Sequence, residues 1–174
     1  GGPAKVAVLS SGLMGTVSGS SVANVVGTGS FTIPMMKRLG YKPEFAGAVE
    51  AAASTGGQIM PPIMGTGAFI MAEFLGVRYI SIAAAAVIPA ILYFAGVYFQ
   101  VDLRARKIGL RGVSKEEMPD AKKTIARYGH MFIPIIILVV LLMRGFTPLY
   151  SAFYCIIVTW ALSFPRKETR MGPK

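Results

Sequence analysis

Cysteine, histidine, tryptophan and acidic residues are scarce in this sequence, and the shortage of cysteine and histidine excludes two kinds of site. The 174 residues include one cysteine, one histidine and one tryptophan. Cys155 cannot form a disulfide within the chain, and Cys155 with His130 cannot complete a metal site. The sequence also has no P-loop lysine, no G-x-S-x-G and no H-E-x-x-H. We therefore expect no enzyme, no metal centre and no cofactor.

The few acids leave the chain strongly basic, with Lys+Arg 18 against Asp+Glu 8. The sequence is 53% hydrophobic and its mean hydropathy is +0.57, whereas soluble domains are roughly 45–50% apolar. The basic residues lie between apolar segments, as in cytoplasmic loops of membrane proteins. Without interleaved aromatic residues they do not favour a nucleic-acid partner. The composition therefore predicts a protein embedded in a lipid bilayer.

Glycine and hydroxyl side chains interrupt the first apolar unit, residues 4–36. We predict two short helices, Val6–Met14 and Val22–Met36, with a break at Gly15–Ser21. Each is shorter than the ~20 residues of a bilayer span, so they suit a re-entrant hairpin with Ser20 and Ser21 at its tip. The alternative for these serines is a plain helix N-cap.

The second apolar unit, residues 44–75, is also interrupted. It follows a basic turn at 37–43 and is predicted as a helix, a break at Ser54–Pro62 and a second helix at Ile63–Leu75. Glycines and a proline pair favour the break, because proline lacks an N–H donor and glycine admits irregular backbone. The whole stretch is long enough to cross a bilayer with an unwound middle.

The remaining chain predicts a conventional span at 79–99 and two shorter membrane helices at 131–143 and 148–164. The fold class is thus an all-α membrane protein with a re-entrant helical hairpin, a broken transmembrane helix and about three further membrane helices. We divide it into a transport-domain half at 1–100, a basic cytoplasmic linker at 101–129 with a short surface helix from Ser114, and C-terminal membrane helices with a basic tail at 130–174.

Charge predicts the orientation of these segments. Fifteen of the eighteen Lys and Arg residues lie in 37–42, 102–127 and 166–174. Positive residues collect on the cytoplasmic side, so the hairpin should enter and leave from that side. Because the chain starts without Met or a signal peptide, we expect the C-terminal part of a longer polytopic protein.

Two polar breaks close in sequence suggest one binding site. Their hydroxyl, amide and carbonyl oxygens are neutral ligands that suit Na⁺ better than Mg²⁺ or Ca²⁺. The half-helix N-termini at Val22 and Ile63 would attract a carboxylate. The predicted ion- and solute-binding residues are Ser18, Gly19, Ser20, Ser21, Asn24, Ser54, Thr55, Gly56, Gly57, Pro61 and Pro62, with Ser20, Asn24, Thr55 and Gly56 as sodium candidates.

The sequence leaves two possible roles open for each of two acidic residues and one amide. Glu50 and Glu73 are functional candidates because intramembrane acids usually are, but both could equally lie at an interface. Asn24 could instead form a helix–helix hydrogen bond.

Three segments then carry a family resemblance: GSSVANVVGTGSFTIPMMKRLGY, GAVEAAASTGGQIMPP and GAFIMAEFLGV. They resemble the large membrane subunit of tripartite ATP-independent periplasmic (TRAP) transporters, especially fused permeases that work with a TAXI-type solute-binding protein. The likeness covers about residues 5–100; the rest matches only as a C-terminal membrane region.

The resemblance implies an inverted-repeat, elevator-type secondary transporter in a bacterial or archaeal cytoplasmic (inner) membrane. It implies sodium-driven import of a carboxylate-bearing solute, with no cofactor beyond coupling sodium ions. The implied partners are a periplasmic solute-binding protein, a small membrane subunit or its fused equivalent, the rest of the polypeptide and lipid. Only one hairpin and one broken helix occur here, so half of the site should lie elsewhere.

Two other functions compete with this interpretation. A channel or a structural scaffold subunit could use the same polar segments to pack helices. A membrane hydrolase using Ser20 would need a base beside it, and the sequence offers none nearby.

Overall fold

Seven α-helices and one short 3-10 helix make up the part of the chain that the structure, a computed structural model, describes. The described residues are 2–109 and 129–164, and they contain no strand, in agreement with the predicted all-α class. The elements are α1 (Gly2–Ser18), α2 (Ser21–Arg38), α3 (Pro43–Gly56), α4 (Thr66–Leu75), α5 (Tyr79–Lys107), a 3-10 turn (Gly129–Phe132), α6 (Ile133–Met143) and α7 (Pro148–Ser163).

The predicted helical pair is α1 and α2, but the break between them is shorter than expected. Only Gly19 and Ser20 lie outside the helices, so the predicted break at Gly15–Ser21 is wrong at both ends. Gly15 is helical and supplies no bend. Its missing side chain instead allows the backbone at Gly57 to come close, because a Cβ on Gly15 would lie 2.4 Å from Gly57 Cα. Insertion of this pair as a re-entrant hairpin stays a prediction.

The predicted interrupted helix is α3 and α4, with its break displaced toward the C-terminus. Helix α3 continues through Ser54 and Thr55 to Gly56, and α4 begins at Thr66 instead of Ile63. The two hydroxyls tolerate the helix because they bond one turn back, Ser54 to the Glu50 carboxylate and Thr55 to the Ala51 carbonyl. The break is therefore 57–65 and not 54–62.

Helix α5 contains the conventional span. It begins at Tyr79 as predicted but continues past 99 to Lys107, so the first residues of the predicted linker are helical. By length and composition it is the one helix of the described residues that could cross a membrane; α4, α6 and α7 are shorter apolar helices.

Small side chains allow the first helices to pack closely. Helices α1, α2 and α3 contact one another, and α5 packs against α1, α3 and α4. Half of the buried core residues between them are alanines, including Ala7, Ala46, Ala53 and Ala105, which are fully buried. In membrane proteins such residues let helix backbones approach. An ion pair between Lys5 of α1 and Asp102 of α5 adds to the contact between these two helices.

The chain divides into two compact units, 1–117 and 118–174. In the second unit α6 packs on α7, and the Cys155 thiol donates to the Pro134 carbonyl at 3.2 Å. The predicted divisions at 100 and 130 stay predictions. The predicted surface helix at Ser114–Glu117 and the basic tail lie outside the described residues.

Both units carry large apolar side chains on their surfaces. Phe31 is 79% exposed, Phe74 87% and Leu149 84%. Soluble monomers rarely expose contiguous apolar surface, which instead marks contact with lipid or with other protein. This surface agrees with the membrane composition of the sequence.

The close approach of Gly15 and Gly57 predicts a stability difference. A Cβ on Gly57 would lie 2.6 Å from Gly15 Cα, whereas a Cβ on Gly27 meets nothing within 4 Å. Gly57→Ala should lower the free energy of unfolding by about 1–3 kcal/mol through overpacking. Gly27→Ala, the control, should stabilise α2 slightly, by up to ~1 kcal/mol. Thermal unfolding of the full-length protein in detergent measures both, and equal melting temperatures would contradict the contact.

Candidate functional site

The tip between α1 and α2 lies directly against the break between α3 and α4. Gly19 has a φ of +59°, and a Cβ there would lie 2.0 Å from the Met64 carbonyl oxygen. Any other residue at position 19 would meet both backbone strain and a steric clash. Met64, with a φ of 57°, is itself in the left-handed region. Strained non-glycine backbone of this kind costs about 1–3 kcal/mol and clusters at functional sites.

Hydrogen bonds fix this junction from several sides. The Gln58 side-chain amide donates to Ser21 Oγ at 3.1 Å, which joins the break to the start of α2. The Gly65 N–H donates to the Gln58 carbonyl at 2.7 Å and closes the break on itself. The Tyr79 hydroxyl bonds the Pro62 carbonyl at 3.0 Å and also contacts the Ile63 carbonyl. The break is thus irregular backbone held in a defined conformation.

A cavity of about 660 Å³ opens beside the junction. Most of its wall is apolar, and its polar atoms come from the tip, from Gln58 and from the start of α4. The lining residues are Gly19, Ser20, Gln58, Ile59, Met64, Gly65, Thr66, Gly67, Ala68, Met71, Ile82, Ala85, Ala86 and Pro89.

The N-cap residues of both half-helices line this cavity. Ser20 is the N-cap of α2 and Gly65 is the N-cap of α4, and both line the cavity. A helix N-terminus carries about half a positive charge and unsatisfied N–H groups. Two of them at one cavity can bind an anionic group through backbone atoms alone.

Of the predicted site residues, the tip residues are the ones that reach the cavity. Gly19 and Ser20 line it, while Ser18 bonds the Ser20 carbonyl at 3.4 Å and Ser21 receives the bond from Gln58. Ser20 also has the capping role named above as the alternative, because its Oγ accepts from the Ala23 N–H at 3.3 Å.

The other predicted residues support the junction or lie away from the cavity. Thr55 is exposed and bonded to its own helix, and Gly56 packs under the Tyr93 ring, where a Cβ would lie 2.6 Å from a ring carbon. Gly57 packs on α1. Pro61 and Pro62 are joined by a cis peptide bond within the break. None of these five residues, nor Asn24 or Ser54, lines the cavity.

Asn24 and Ser54 instead belong to a second polar cluster, inside the three-helix contact. Asn24 donates from Nδ2 to the Ser11 carbonyl at 2.8 Å, the helix–helix bond anticipated as its alternative role. Its Oδ1 is buried and has no partner in the described part of the chain. Ser54 bonds the Glu50 carboxylate at 3.1 Å.

Glu50 is the centre of this second cluster. The sequence analysis treated Glu50 and Glu73 alike and did not indicate which of them is buried. Glu50 is 0% exposed, whereas Glu73 is an exposed residue of α4. Sequence reasoning also missed Met64, Gly65 and Thr66, which lie just beyond the predicted break. The only sequence feature that pointed to these residues was the pair of prolines before them. Helix ends are set by capping contacts, which helix propensity alone does not locate.

The described residues combine helices only, an apolar span, an interrupted helix and a largely apolar cavity with a few polar groups, and these are features of a membrane transporter component. The family described as "Tripartite ATP-independent periplasmic transporter, DctM component" matches residues 1–172, and the chain belongs to it. The resemblance to the large TRAP permease subunit is therefore confirmed at the level of the family. Membership of a transporter family also fits the expectation of a non-enzyme.

Two relatives show how much of such a protein this chain represents. Protein y4mL of Sinorhizobium fredii is 29% identical over 171 residues, which cover 94% of this chain and 39% of that protein. Protein YgiK of Salmonella typhimurium is 34% identical over 55 residues, 32% of this chain and 13% of that protein. The chain thus spans about two fifths of the length of the first relative. No solved structure matches it.

The contact between Gly19 and Met64 predicts an effect that backbone strain alone does not produce. Gly76 has a φ of +63°, like Gly19, but a Cβ on Gly76 meets nothing within 4 Å. Gly76→Ala should lower the free energy of unfolding only by the cost of the backbone strain, about 1–2 kcal/mol. Gly19→Ala should lose several-fold more stability, or push the tip away from the break. Thermal unfolding of the two full-length variants compares them; equal losses would mean that the tip does not touch the break.

Proposed function

We propose that this chain is part of the permease of a TAXI-type TRAP transporter that imports a carboxylate-bearing solute with sodium ions. The protein would be a multi-pass component of a bacterial or archaeal inner membrane. A periplasmic solute-binding protein would deliver the solute, and a small membrane subunit or its fused equivalent would complete the complex. Family membership supports a transporter permease.

The observation that carries the proposal is the pair of helix N-termini at one cavity. Ser20 and Gly65 cap the two helices there, so their positive ends would attract a carboxylate without a basic side chain. Discontinuous helices that meet in this way form the substrate and ion sites of many secondary transporters. The apolar wall, with Met71, Ile82 and Pro89, would receive the apolar part of an organic solute.

Neutral oxygens beside the cavity support sodium as the coupling ion. Ser20 Oγ, the Gln58 side-chain carbonyl and the Met64 backbone carbonyl are hard oxygen ligands without a full charge. Unwound backbone coordinates coupling ions in comparable transporter sites. The first sodium candidate, Ser20, keeps this role in the proposal, while Asn24, Thr55 and Gly56 do not line the cavity.

The hairpin and interrupted helix would move together as one body. The tip, the break and α3 are interlocked through Gly15, Gly19 and Gln58, which suits a rigid transport domain of an elevator-type mechanism. The remaining polypeptide would then supply the inverted repeat and the other half of the site. A channel or scaffold subunit remains the competing function, since Asn24 does use its amide to pack helices.

Sodium binding can be measured without knowing the solute. In the full-length protein in detergent, sodium chloride should raise the melting temperature relative to choline chloride, because a ligand that binds the folded state stabilises it. Ser20→Ala should weaken the apparent sodium affinity at least about tenfold, about 1.4 kcal/mol, through loss of a ligand. The midpoint of a sodium titration gives this value.

Thr147→Ala is the matched control, because Thr147 caps α7 through its side chain as Ser20 caps α2. Each variant loses a cap, worth about 0.5–2 kcal/mol, but only Ser20→Ala should shift the sodium midpoint. No sodium effect in the wild type would argue for a channel or scaffold, and equal midpoints in both variants would remove Ser20 from the site. Uptake of labelled organic acids by cells with the complete transporter then identifies the solute.

A further inference from the structure

The carboxylate of Glu50 is enclosed by hydroxyl groups from three helices. Ser11 Oγ of α1 donates to Oε1 at 2.5 Å, and Thr28 Oγ1 of α2 donates to the same oxygen at 2.5 Å. Thr32 of α2 donates to Oε2, and Ser54 of α3 reaches Oε1 at 3.1 Å. The packing is dense, because a Cβ on Gly29 would lie 3.1 Å from Glu50 Cγ. Glu50 is thus solvated entirely by side chains.

No cation compensates this carboxylate within the described residues. The titratable groups on the helices packed around it, and in the turn between α2 and α3, are Lys5, Lys37, Arg38, Tyr41, Lys42, Glu44, Tyr79, Tyr93, Tyr98, Asp102, Arg104, Arg106 and Lys107. Lys5 and Arg106 pair with Asp102, and the Tyr93 hydroxyl donates to the Ala52 carbonyl at 2.8 Å. None of these groups forms an ion pair or hydrogen bond with Glu50.

An ionised carboxylate in this position is costly. Charged groups at bilayer depth cost at least about 2.5–3.5 kcal/mol even by the mildest scale. Four hydroxyl donors reduce that cost, and O–H···O⁻ bonds of about 2.5–2.7 Å are typical of an ionised acceptor. Addition of one proton to a carboxylate oxygen would remove the charge. It would require neither another ligand nor additional space in the cluster.

The hydroxyl shell can satisfy the protonated form as well. Thr28 Oγ1 lies 2.8 Å from the Asn24 carbonyl, and Thr32 Oγ1 lies 3.0 Å from the Thr28 carbonyl. Each threonine can turn its proton to that backbone acceptor and then accept a hydrogen bond from a protonated Glu50. Ser11 Oγ can likewise donate to Thr28 Oγ1 at 2.9 Å. A hydroxyl both donates and accepts, so neither state leaves the Glu50 carboxyl group or the four hydroxyls around it unpaired.

We propose that Glu50 is a reversible proton-binding site of this protein, with Ser11, Thr28, Thr32 and Ser54 as its switchable shell. Binding takes one proton from water, forms one O–H bond on the carboxylate and changes its charge from −1 to zero; release returns the proton. Thr28 is half-buried and contacts both Glu50 and Ser11, so it is the shell member through which the proton exchanges. Glu50 does not line the cavity, and the proposal depends on neither the solute nor sodium.

Infrared difference spectroscopy of the full-length protein tests this site directly. Spectra recorded at the acidic and alkaline ends of the range in which the protein stays folded should differ by a protonated carboxyl C=O band. Glu50→Gln should abolish the part of the band that belongs to this buried group. Glu73→Gln, the control, changes an exposed acid of α4 and should leave that part intact. A pH-dependent band of equal size and position in the wild type and Glu50→Gln would overturn the proposal.

A second measurement covers the case in which Glu50→Gln does not fold. Thr28→Val keeps the volume of the side chain but removes its hydroxyl, so the Glu50 band should shift in frequency because the carboxyl group loses a hydrogen-bond partner. Isotope-labelled glutamate assigns the band to a glutamate in the wild type. An unshifted band in Thr28→Val would contradict the assignment to Glu50.

Sodium at Glu50 is the alternative occupant that this experiment excludes or reveals. If sodium chloride, compared with choline chloride, abolished the wild-type band at constant pH and Glu50→Gln removed that effect, Glu50 would carry the proton in the absence of sodium and sodium would compete with the proton for the same carboxylate. A band insensitive to sodium supports the proton. The sodium titration of Ser20→Ala reports on the cavity, so failure of one proposal does not entail failure of the other.

Discussion

The backbone contact between Gly15 of α1 and Gly57 at the end of α3 is the constraint on which the rest of the first unit depends. Each glycine leaves room for the other's Cα, so two helices meet without intervening side chains. Four residues beyond Gly15 the chain reaches Gly19, and seven beyond Gly57 it reaches Met64. The tip and the break therefore leave one fixed point within a few residues, and they meet again at Gly19 and Met64, with the cavity beside their contact.

The same close approach brings polar side chains into the helix contact. Alanines make up half of the buried core residues, and their methyl groups offer a carboxylate no hydrogen bond. Glu50 is tolerated there because hydroxyls of α1, α2 and α3 replace water around it. A buried polar group without such partners would cost several kcal/mol in a bilayer. The hydroxyls of the sequence thus serve two separate sites, the cavity and the Glu50 shell.

The sequence predicted the existence of each helix and the two breaks, because glycine clusters, a proline pair and long apolar runs have strong local effects. It misplaced the breaks because glycine also serves close packing, which depends on a partner far along the chain. Ser54 was assigned to the ion site, although its spacing of four residues from Glu50 places both on one helix face. Thr28 and Thr32 share that spacing. The left-handed Met64 had no local signal, since tertiary contacts impose it.

The two polar sites differ in what a moving transport domain would require of them. The cavity is open and offers partial charges, so it can release what it binds. The Glu50 shell is closed, so an ionised Glu50 would move with the helices through the low-dielectric region. That movement would carry the free-energy cost of a charged group inside the membrane. A proton on Glu50 would remove that cost during movement and leave the hydroxyl network paired. Movement of the helices would then cost less free energy when Glu50 is protonated than when it is ionised. Such a difference between two states is what coupling an ion to a conformational change requires.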